Sequence, residues 1–150
     1  KVRNNSSIIR YVKYNGIRIL FAGDLETAGW EWLAKNDALF RITMKGGLDV
    51  LVAPHHGHDS GFPQALFDLT GNVKTIILSK DSEASKEGTD VYTGYSNYAD
   101  GVTYYNTSDK NMYKGKVLTT RSNGNIYIFV DQSNGLYFAT DKASSNHKKL

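Results

Sequence analysis

The sequence predicts an α/β fold in which a mixed sheet with flanking helices is followed by a C-terminal antiparallel meander. Residues 48–53, 62–69 and 73–79 have the compositions and lengths of a strand, a helix and a second strand. Such a βαβ unit pairs its strands in parallel. Before this unit, Asn15-Gly16 separates two apolar runs, and this residue pair tolerates the positive φ angles of a two-residue hairpin turn.

The other elements follow from local composition. Residues 26–36 predict a helix on which Trp30 and Leu33 share one face. Residues 37–47 show no clear pattern, so we expect an irregular connection there, and residues 80–97 predict a long polar loop. Segments rich in Asn and Gly separate the strands of the meander. The predicted strands are residues 6–14, 17–22, 48–53, 73–79, 117–121, 126–130 and 136–140.

Five tyrosines in and after the predicted polar loop have two interpretations. Their rings either line a substrate groove, where they stack bases or hold quaternary ammonium groups, or belong to the core and to half-buried strands. The second interpretation, in which most of these rings belong to the core or to half-buried strands, is favoured. These residues are Tyr92, Tyr95, Tyr98, Tyr104 and Tyr105.

Composition excludes several classes of site. The 150 residues suit a single domain. The absence of cysteine excludes disulfide frameworks, thiolate zinc sites and cysteine nucleophiles. No apolar run approaches the roughly 18 residues that a membrane-spanning helix needs. The sequence therefore predicts no membrane segment in this chain.

The net charge of +3 gives little indication of a nucleic-acid partner, because the excess cations lie at the two ends. No acidic residue precedes Asp24 or follows Asp141. We therefore expect a domain over residues 1–141 and a basic, disordered tail over residues 142–150. The terminal cations are Lys1, Arg3, Lys142, Lys148 and Lys149.

Three of the four histidines lie in one short segment, Pro54-His55-His56-Gly57-His58-Asp59-Ser60, directly after a predicted buried strand. Ligands bind at the carboxyl ends of strands in α/β sheets, and imidazole both ligates metals and transfers protons near neutral pH. The alternative is a polar surface loop, or a helix N-cap provided by Asp59 or Ser60.

A second polar site follows the apolar strand that ends at Gly23-Asp24. Asp24 is either an N-cap for the next helix or a carboxylate fixed at the sheet edge. Combined with the histidine segment on a later strand, the second interpretation predicts a metal site, since carboxylate and imidazole suit zinc or manganese.

The order of apolar strand, Gly23-Asp24, helix, strand and Pro54-His55-His56-Gly57 resembles the second half of a metallo-β-lactamase-fold hydrolase. The similarity is greatest to the hydrolase domain of ComEC-type DNA-uptake proteins and to phosphorylcholine esterases. They share the Asn/Ser-rich strand start at residues 4–8 and the segment at residues 119–126. The resemblance spans residues 4–130 and implies half of an αββα sandwich.

The resemblance also implies roles for individual residues. Asp24 would bridge two metals, and His56 would bind the second of them. His55 would contact a substrate oxyanion or protonate a leaving group, and a shift of one residue exchanges the roles of His55 and His56. His58 replaces a serine of the family and is a second candidate catalytic residue. Ser79, after the next strand, would face the cleft without an assigned role.

The chain departs from the family pattern in its ligand set. It has no His-x-His-x-Asp-His motif, and Asn4 or Asn5 stands where the family has a further histidine. A stable metal needs three or more protein ligands. We therefore expect this chain to be the C-terminal half of the enzyme, inactive alone, whose N-terminal half was removed or belongs to another chain.

The complete enzyme would hold two divalent metals, zinc or manganese, and hydrolyse a phosphoester through a metal-activated water. Its substrate would be nucleic acid or a phosphorylated small molecule. The alternative is a non-catalytic binding or structural module that keeps the sheet but not the complete metal site.

Overall fold

The computed structural model describes residues 6–80, 92–142 and 144–150 and arranges them in two mixed five-stranded sheets flanked by helices. The predicted α/β class is confirmed. The strands are β1 Arg10–Tyr14, β2 Ile17–Phe21, β3 Val50–Val52, β4 Thr75–Leu78, β5 Val102–Asn106, β6 Asn111–Gly115, β7 Val117–Thr119, β8 Ile126–Val130, β9 Leu136–Thr140 and β10 Lys148–Lys149. The helices are α1 Thr27–Asn36, α2 Ala38–Lys45, α3 Gln64–Thr70, α4 Tyr92–Ser96 and α5 Thr120–Asn123.

The first sheet has the strand order β1-β2-β3-β4-β7. The hairpin of β1 and β2 turns at Asn15 (φ 45°) and Gly16 (φ 76°), as the Asn-Gly pair predicts. The other neighbouring pairs in this sheet, β2–β3, β3–β4 and β4–β7, are parallel. The predicted βαβ unit is therefore confirmed as β3, α3 and β4.

The second sheet has the order β10-β6-β5-β9-β8, and β5 and β9 are its parallel pair. The prediction of one continuous C-terminal meander was wrong. Only β8 and β9 form the expected antiparallel hairpin, because β7 joins the first sheet beside β4 and the helix α5 follows it. All three residues of β7 are buried, and an apolar run of this length suits either kind of sheet.

The hairpin of β5 and β6 was not predicted. Its strands alternate buried and exposed positions, but the aromatic residues do not follow this alternation. Tyr104 is buried between the sheets while the adjacent Tyr105 is 39% exposed. Without a contrast in polarity between the two faces, the period-two signal of a strand is lost.

Three layers follow from this topology. Helices α1, α2 and α3 cover one face of the first sheet, where Trp30, Leu66 and Phe67 are buried. The second sheet covers the other face, and its side chains Tyr104, Tyr113 and Phe138 pack in one cluster with first-sheet residues. The central parallel strands are buried on both faces, which explains their nearly continuous apolar sequences.

Two predictions, for residues 37–47 and for the C-terminal tail, need correction. Residues 37–47 contain the helix α2, which begins where the Asp37 carboxylate accepts a hydrogen bond from the Phe40 N–H (2.9 Å). The expected tail is also different, since Lys148 and Lys149 form β10 and pair with β6. Pairing there needs only backbone groups, which composition does not reveal.

The tyrosines mostly follow the favoured interpretation as core or half-buried residues. Tyr95 is buried, and Tyr98 stacks on Phe67 with ring centroids 4.3 Å apart. Tyr105 lies on the exposed face of the second sheet. The side chain of Tyr92, and residues 81–91 of the predicted polar loop, lie outside the described residues.

Candidate functional site

The candidate site lies at the carboxyl ends of three neighbouring parallel strands. Asp24 follows β2, His55 and His56 follow β3, and Ser79 follows β4. Because these strands pair in parallel, their ends meet at the same edge of the first sheet. Asp24 and His56, which are far apart in the sequence, therefore lie close together in the fold.

The structure brings Asp24 and His56 together. The His56 Nε2 atom lies 3.9 Å from the Asp24 Oδ1 atom, and both side chains are more than half exposed. The His56 Nδ1 atom lies 2.8 Å from the carbonyl oxygen of Ser79. Since a carbonyl only accepts hydrogen bonds, Nδ1 carries a proton, and in the neutral ring the nitrogen with the lone pair is therefore Nε2, the atom nearer to Asp24.

The histidine loop has a backbone that non-glycine residues rarely adopt. His55 and His56 have φ angles of 46° and 55°, and Gly57 follows at 82°. A left-handed conformation at a non-glycine residue costs about 1–3 kcal/mol. At Gly57 a Cβ atom would come within 3.0 Å of the Leu78 side chain. The loop therefore holds two imidazoles in a conformation that the surrounding packing imposes.

Close backbone contacts join the loops after β2 and β3. The His55 N–H donates to the Gly23 carbonyl (2.9 Å), and the Asp24 N–H donates to the Ser7 Oγ (3.1 Å). A Cβ atom on Gly23, which has a φ of 55°, would lie 3.1 Å from the Ile8 carbonyl oxygen. Gly23 thus permits the close approach of this turn to the segment that precedes β1.

The N-cap interpretations of the polar residues were wrong. Glu26 occupies the N-cap of α1 and Pro63 that of α3, and neither helix end has a side-chain cap hydrogen bond. Neither Asp24 nor Asp59 therefore serves as the cap for these helices. The Thr27 hydroxyl instead donates to the Ser60 carbonyl (2.9 Å), which fixes the histidine loop against α1.

His55 and His58 converge on one hydroxyl group. The Ser60 Oγ atom lies 3.1 Å from His55 Nδ1 and 2.9 Å from His58 Nδ1, and the two ring centroids are 5.0 Å apart. The Asp59 Oδ1 atom lies 2.8 Å from His58 Nδ1. The sequence indicated Asp59 and Ser60 only as candidate caps, and their adjacency to three histidines was the signal for a role in the site.

The donor chemistry fits a metal, but the number of ligands does not. Zinc bonds to nitrogen and oxygen are about 2.0–2.2 Å long, so one ion can span the 3.9 Å between His56 Nε2 and Asp24 Oδ1. Throughout residues 6–80, 92–142 and 144–150, no group of three or more His, Asp or Glu side chains is placed to hold an ion. Asn4 and Asn5 lie outside the described residues.

No protein-family model, curated protein or solved structure matches this chain. Within the described part of the chain, no helix has the length and apolar character needed to cross a membrane.

Proposed function

We propose that this chain is one half of a metal-dependent hydrolase of the metallo-β-lactamase fold, which acts on a phosphoester through a metal-activated water. The observation that carries the proposal is the pair formed by the Asp24 carboxylate and the Nε2 atom of His56, 3.9 Å apart at the edge of a parallel sheet. The family is proposed from the order of the motifs, and this pair of side chains provides the chemistry of a metal ligand set.

The surroundings of His56 support a ligand role. Histidines that bind metals generally donate their second ring N–H to a carboxylate or a backbone carbonyl, which orients the ring. His56 has such a partner in the Ser79 carbonyl. This contact also gives Ser79 a function, through its backbone, that the sequence did not suggest.

The arrangement of layers in the fold supports the proposal that a second half completes the enzyme. Helices, first sheet and second sheet form an αββ arrangement, and the outward face of the second sheet exposes large apolar side chains. A further helical layer on this face would complete an αββα sandwich. The exposed residues are Tyr105, Met112, Tyr127, Phe129 and Tyr137. The segment that supplies this layer would also supply the His-x-His-x-Asp-His ligands, from the same or another chain.

Two zinc or manganese ions, when bound in the complete site, would lower the pKa of a bound water to ~7. Asp24 and His56 would be among the side chains that hold the ions. His55 and His58, on the same loop, would contact the phosphoester of a nucleic acid or a phosphorylated small molecule.

A non-catalytic binding or structural module is the second candidate. The observation that favours it is the absence of a three-ligand group among the described residues. The hydrolase should cleave a phosphoester once the missing metal ligands are supplied, whereas the binding module should not. One experiment therefore separates the two candidates.

The test begins with zinc titration calorimetry of the metal-free chain. We expect weak binding that Asp24→Asn and His56→Asn each reduce at least about tenfold, since even outer-shell partners of metal ligands contribute 10–100-fold. Asparagine is chosen at position 56 because it tolerates positive φ. Asp68→Asn is the matched control, because it removes the same charge from an exposed residue of α3 that contacts Gln64.

Equal zinc affinity in the wild type and both site variants would refute the assigned ligands. A polypeptide bearing the His-x-His-x-Asp-His motif is then added, with bis(4-nitrophenyl) phosphate as the probe. Hydrolysis that Asp24→Asn abolishes supports the hydrolase. Zinc binding without hydrolysis in the assembled protein would favour the binding module.

A further inference from the structure

We infer that the open edge of β8 is a binding site for one further strand, which joins the second sheet from a different polypeptide and is extended, apolar and uncharged. This inference does not depend on the proposed metal site. It rests on the backbone pattern of β8 and on the side chains that lie uncovered beside this strand.

Strand β8 is the last strand of the second sheet and, among the described residues, it pairs with β9 alone. Its five residues, Ile126–Val130, include no charged side chain, no proline and no glycine. The opposite edge differs, because the short strand β10 covers part of β6 with Lys148 and Lys149. Very short strands and lysines at an edge oppose the addition of another chain. The β8 edge has neither feature.

The ladder between β8 and β9 leaves alternate residues of β8 with backbone groups that point to the open edge. The Asp131 N–H donates to the Gly135 carbonyl (3.0 Å), which continues the register of β8 and β9. Bonded and non-bonded residues alternate along an antiparallel pair. Every second residue before Asp131 therefore directs its N–H and C=O groups to β9, and the others direct theirs away from it. The residues with outward groups are Ile126, Ile128 and Val130.

Side chains beside this edge are also incompletely covered. Ile126 and Ile128 pack against the cluster between the sheets but are only half-buried. On β1, Val12 and Tyr14 are 38% and 58% exposed. Val12 lies directly opposite Ile19, which packs against the same cluster, so β1 extends beyond the area that β8 covers. A strand added to β8 would cover these side chains, which predicts apolar residues on its inner face.

The outward face of β8 predicts the same character for the added strand. Tyr127 and Phe129 are exposed there, and their rings stack with centroids 6.4 Å apart. Aromatic and β-branched side chains directly opposite each other stabilise neighbouring strands. A strand with apolar side chains on both faces therefore suits this edge, because a charged side chain would lie beside apolar ones on either face.

A single strand fits this edge better than a second copy of the chain does. A copy paired through its own β8 would bring its own β1 and β2 into the space beside Val12 and Tyr14. An extended segment with no second layer attached can occupy that space. The partner is therefore a strand of another polypeptide, bound by addition to the sheet edge.

The probe for this site is a capped peptide with the sequence of residues 126–130 and two lysines at each end for solubility. In antiparallel pairing centred on Ile128, its outward backbone groups match those of β8, because Ile126 is then opposite Val130. N-methylation at the positions of Tyr127 and Phe129 blocks its other edge and prevents self-assembly. The matched control peptide is N-methylated at the other three positions, on the edge that would pair.

Amide hydrogen exchange of the chain, followed by NMR, measures strand addition. With the probe at saturation, exchange of the Ile128 amide should slow at least about tenfold, whereas the Phe129 amide, already bonded to β9, should change little. The control peptide should change neither amide.

A substitution in the chain tests the same contact from the other side. Ile128→Pro removes an N–H that points away from β9, which an edge strand tolerates, so it should abolish probe binding while the circular dichroism spectrum stays that of the wild type. Ile128→Val keeps the N–H and should bind the probe as the wild type does. Fluorescence anisotropy of a labelled probe measures both.

Unchanged exchange at Ile128 at the highest soluble probe concentration, or equal slowing by the probe and the control peptide, would overturn the inference. Sedimentation of the chain as a dimer that Ile128→Pro converts to a monomer would assign the edge to a second copy and overturn it as well. Failure of zinc binding or of phosphoester hydrolysis leaves these measurements unaffected, so it is distinguishable from failure of strand addition.

Discussion

The two sheets of this protein differ in how many of their faces are covered. The first sheet is enclosed by helices on one side and by the second sheet on the other, and Val50, Leu51 and Ile76 at its centre have no exposed surface. The second sheet is covered on one face, and its outward face leaves Phe129 54% exposed. The candidate site extends from the doubly covered sheet, where a rigid scaffold can hold a strained loop.

The largest expected difference between the two regions comes from the same truncation made in each. Phe67→Ala, at a residue 2% exposed in the helix-side core, should lower the free energy of unfolding by about 3–5 kcal/mol, because it removes apolar burial and leaves a cavity. Phe129→Ala should lower it by less than about 1 kcal/mol, since an exposed ring loses little burial. Urea unfolding of both variants measures the two values. Comparable losses would show that the outward face of the second sheet is also buried in solution.

A smaller effect is expected from glycines that share a backbone conformation but differ in packing. Gly57 and Gly16 have φ angles of 82° and 76°, and a Cβ atom would lie 3.0 Å from Leu78 at Gly57 but would contact nothing within 4 Å at Gly16. Both alanine variants should lose about 1–2 kcal/mol for the left-handed residue. Gly57→Ala should lose a further ~1–3 kcal/mol from overpacking.

Chemical denaturation of both glycine variants checks this ordering. Equal losses would mean that the first sheet accommodates the extra methyl group without strain. The histidine loop would then be less tightly determined by its scaffold than the contact with Leu78 indicates.

The smallest expected effect is a difference in pH dependence between the sheets. Burial lowers the pKa of His147, partly opposed by a hydrogen bond with the Val117 backbone, and its Nδ1 atom lies 2.7 Å from the Tyr104 hydroxyl against the second sheet. The unfolded chain then binds a proton at His147 more readily than the folded chain does. The contribution of His147 to the free energy of unfolding is therefore complete above about pH 6.5 and is lost as the pH falls below that value.

The first sheet should respond only in stronger acid. Burial raises the pKa of Asp49, but hydrogen bonds from Arg18 and Lys74 lower it more, so that it lies below 3.8. Its contribution is complete above about pH 4 and is lost in acid. Urea unfolding between pH 8 and pH 3 measures both windows. His147→Gln should flatten only the first and Asp49→Asn only the second, and the reverse assignment would contradict the comparison.

Much of the first sheet was predictable because its signals are local. The Asn15-Gly16 turn and the apolar run before Pro54 each specify one conformation within a few residues. The helix α2 was missed because it has only two buried residues, Phe40 and Met44, which is a weak periodic signal. The second sheet was missed more widely, since its aromatic residues occupy both faces.

The candidate site also combines features that have a local sequence signal with features that have none. Asp24 and His56 could be named from sequence because each directly follows an apolar strand. The partner of His56 could not be named, since it is the backbone carbonyl of Ser79, and a carbonyl has no side-chain signature. Asp59 and Ser60 are adjacent to the histidines in sequence, but their distances to the ring nitrogens depend on the left-handed turn at His55 and His56.

The sequence by itself determined the α/β class, the hairpin, the βαβ unit and the residues that follow each strand, because propensity and periodicity act over a few neighbouring residues. Tertiary structure alone decided that β7 joins the first sheet, that β10 pairs with β6, and that an Asp and a His 32 positions apart lie within 3.9 Å. These outcomes depend on which backbone groups pair across the sheets, and that competition is settled only when all the strands are present together.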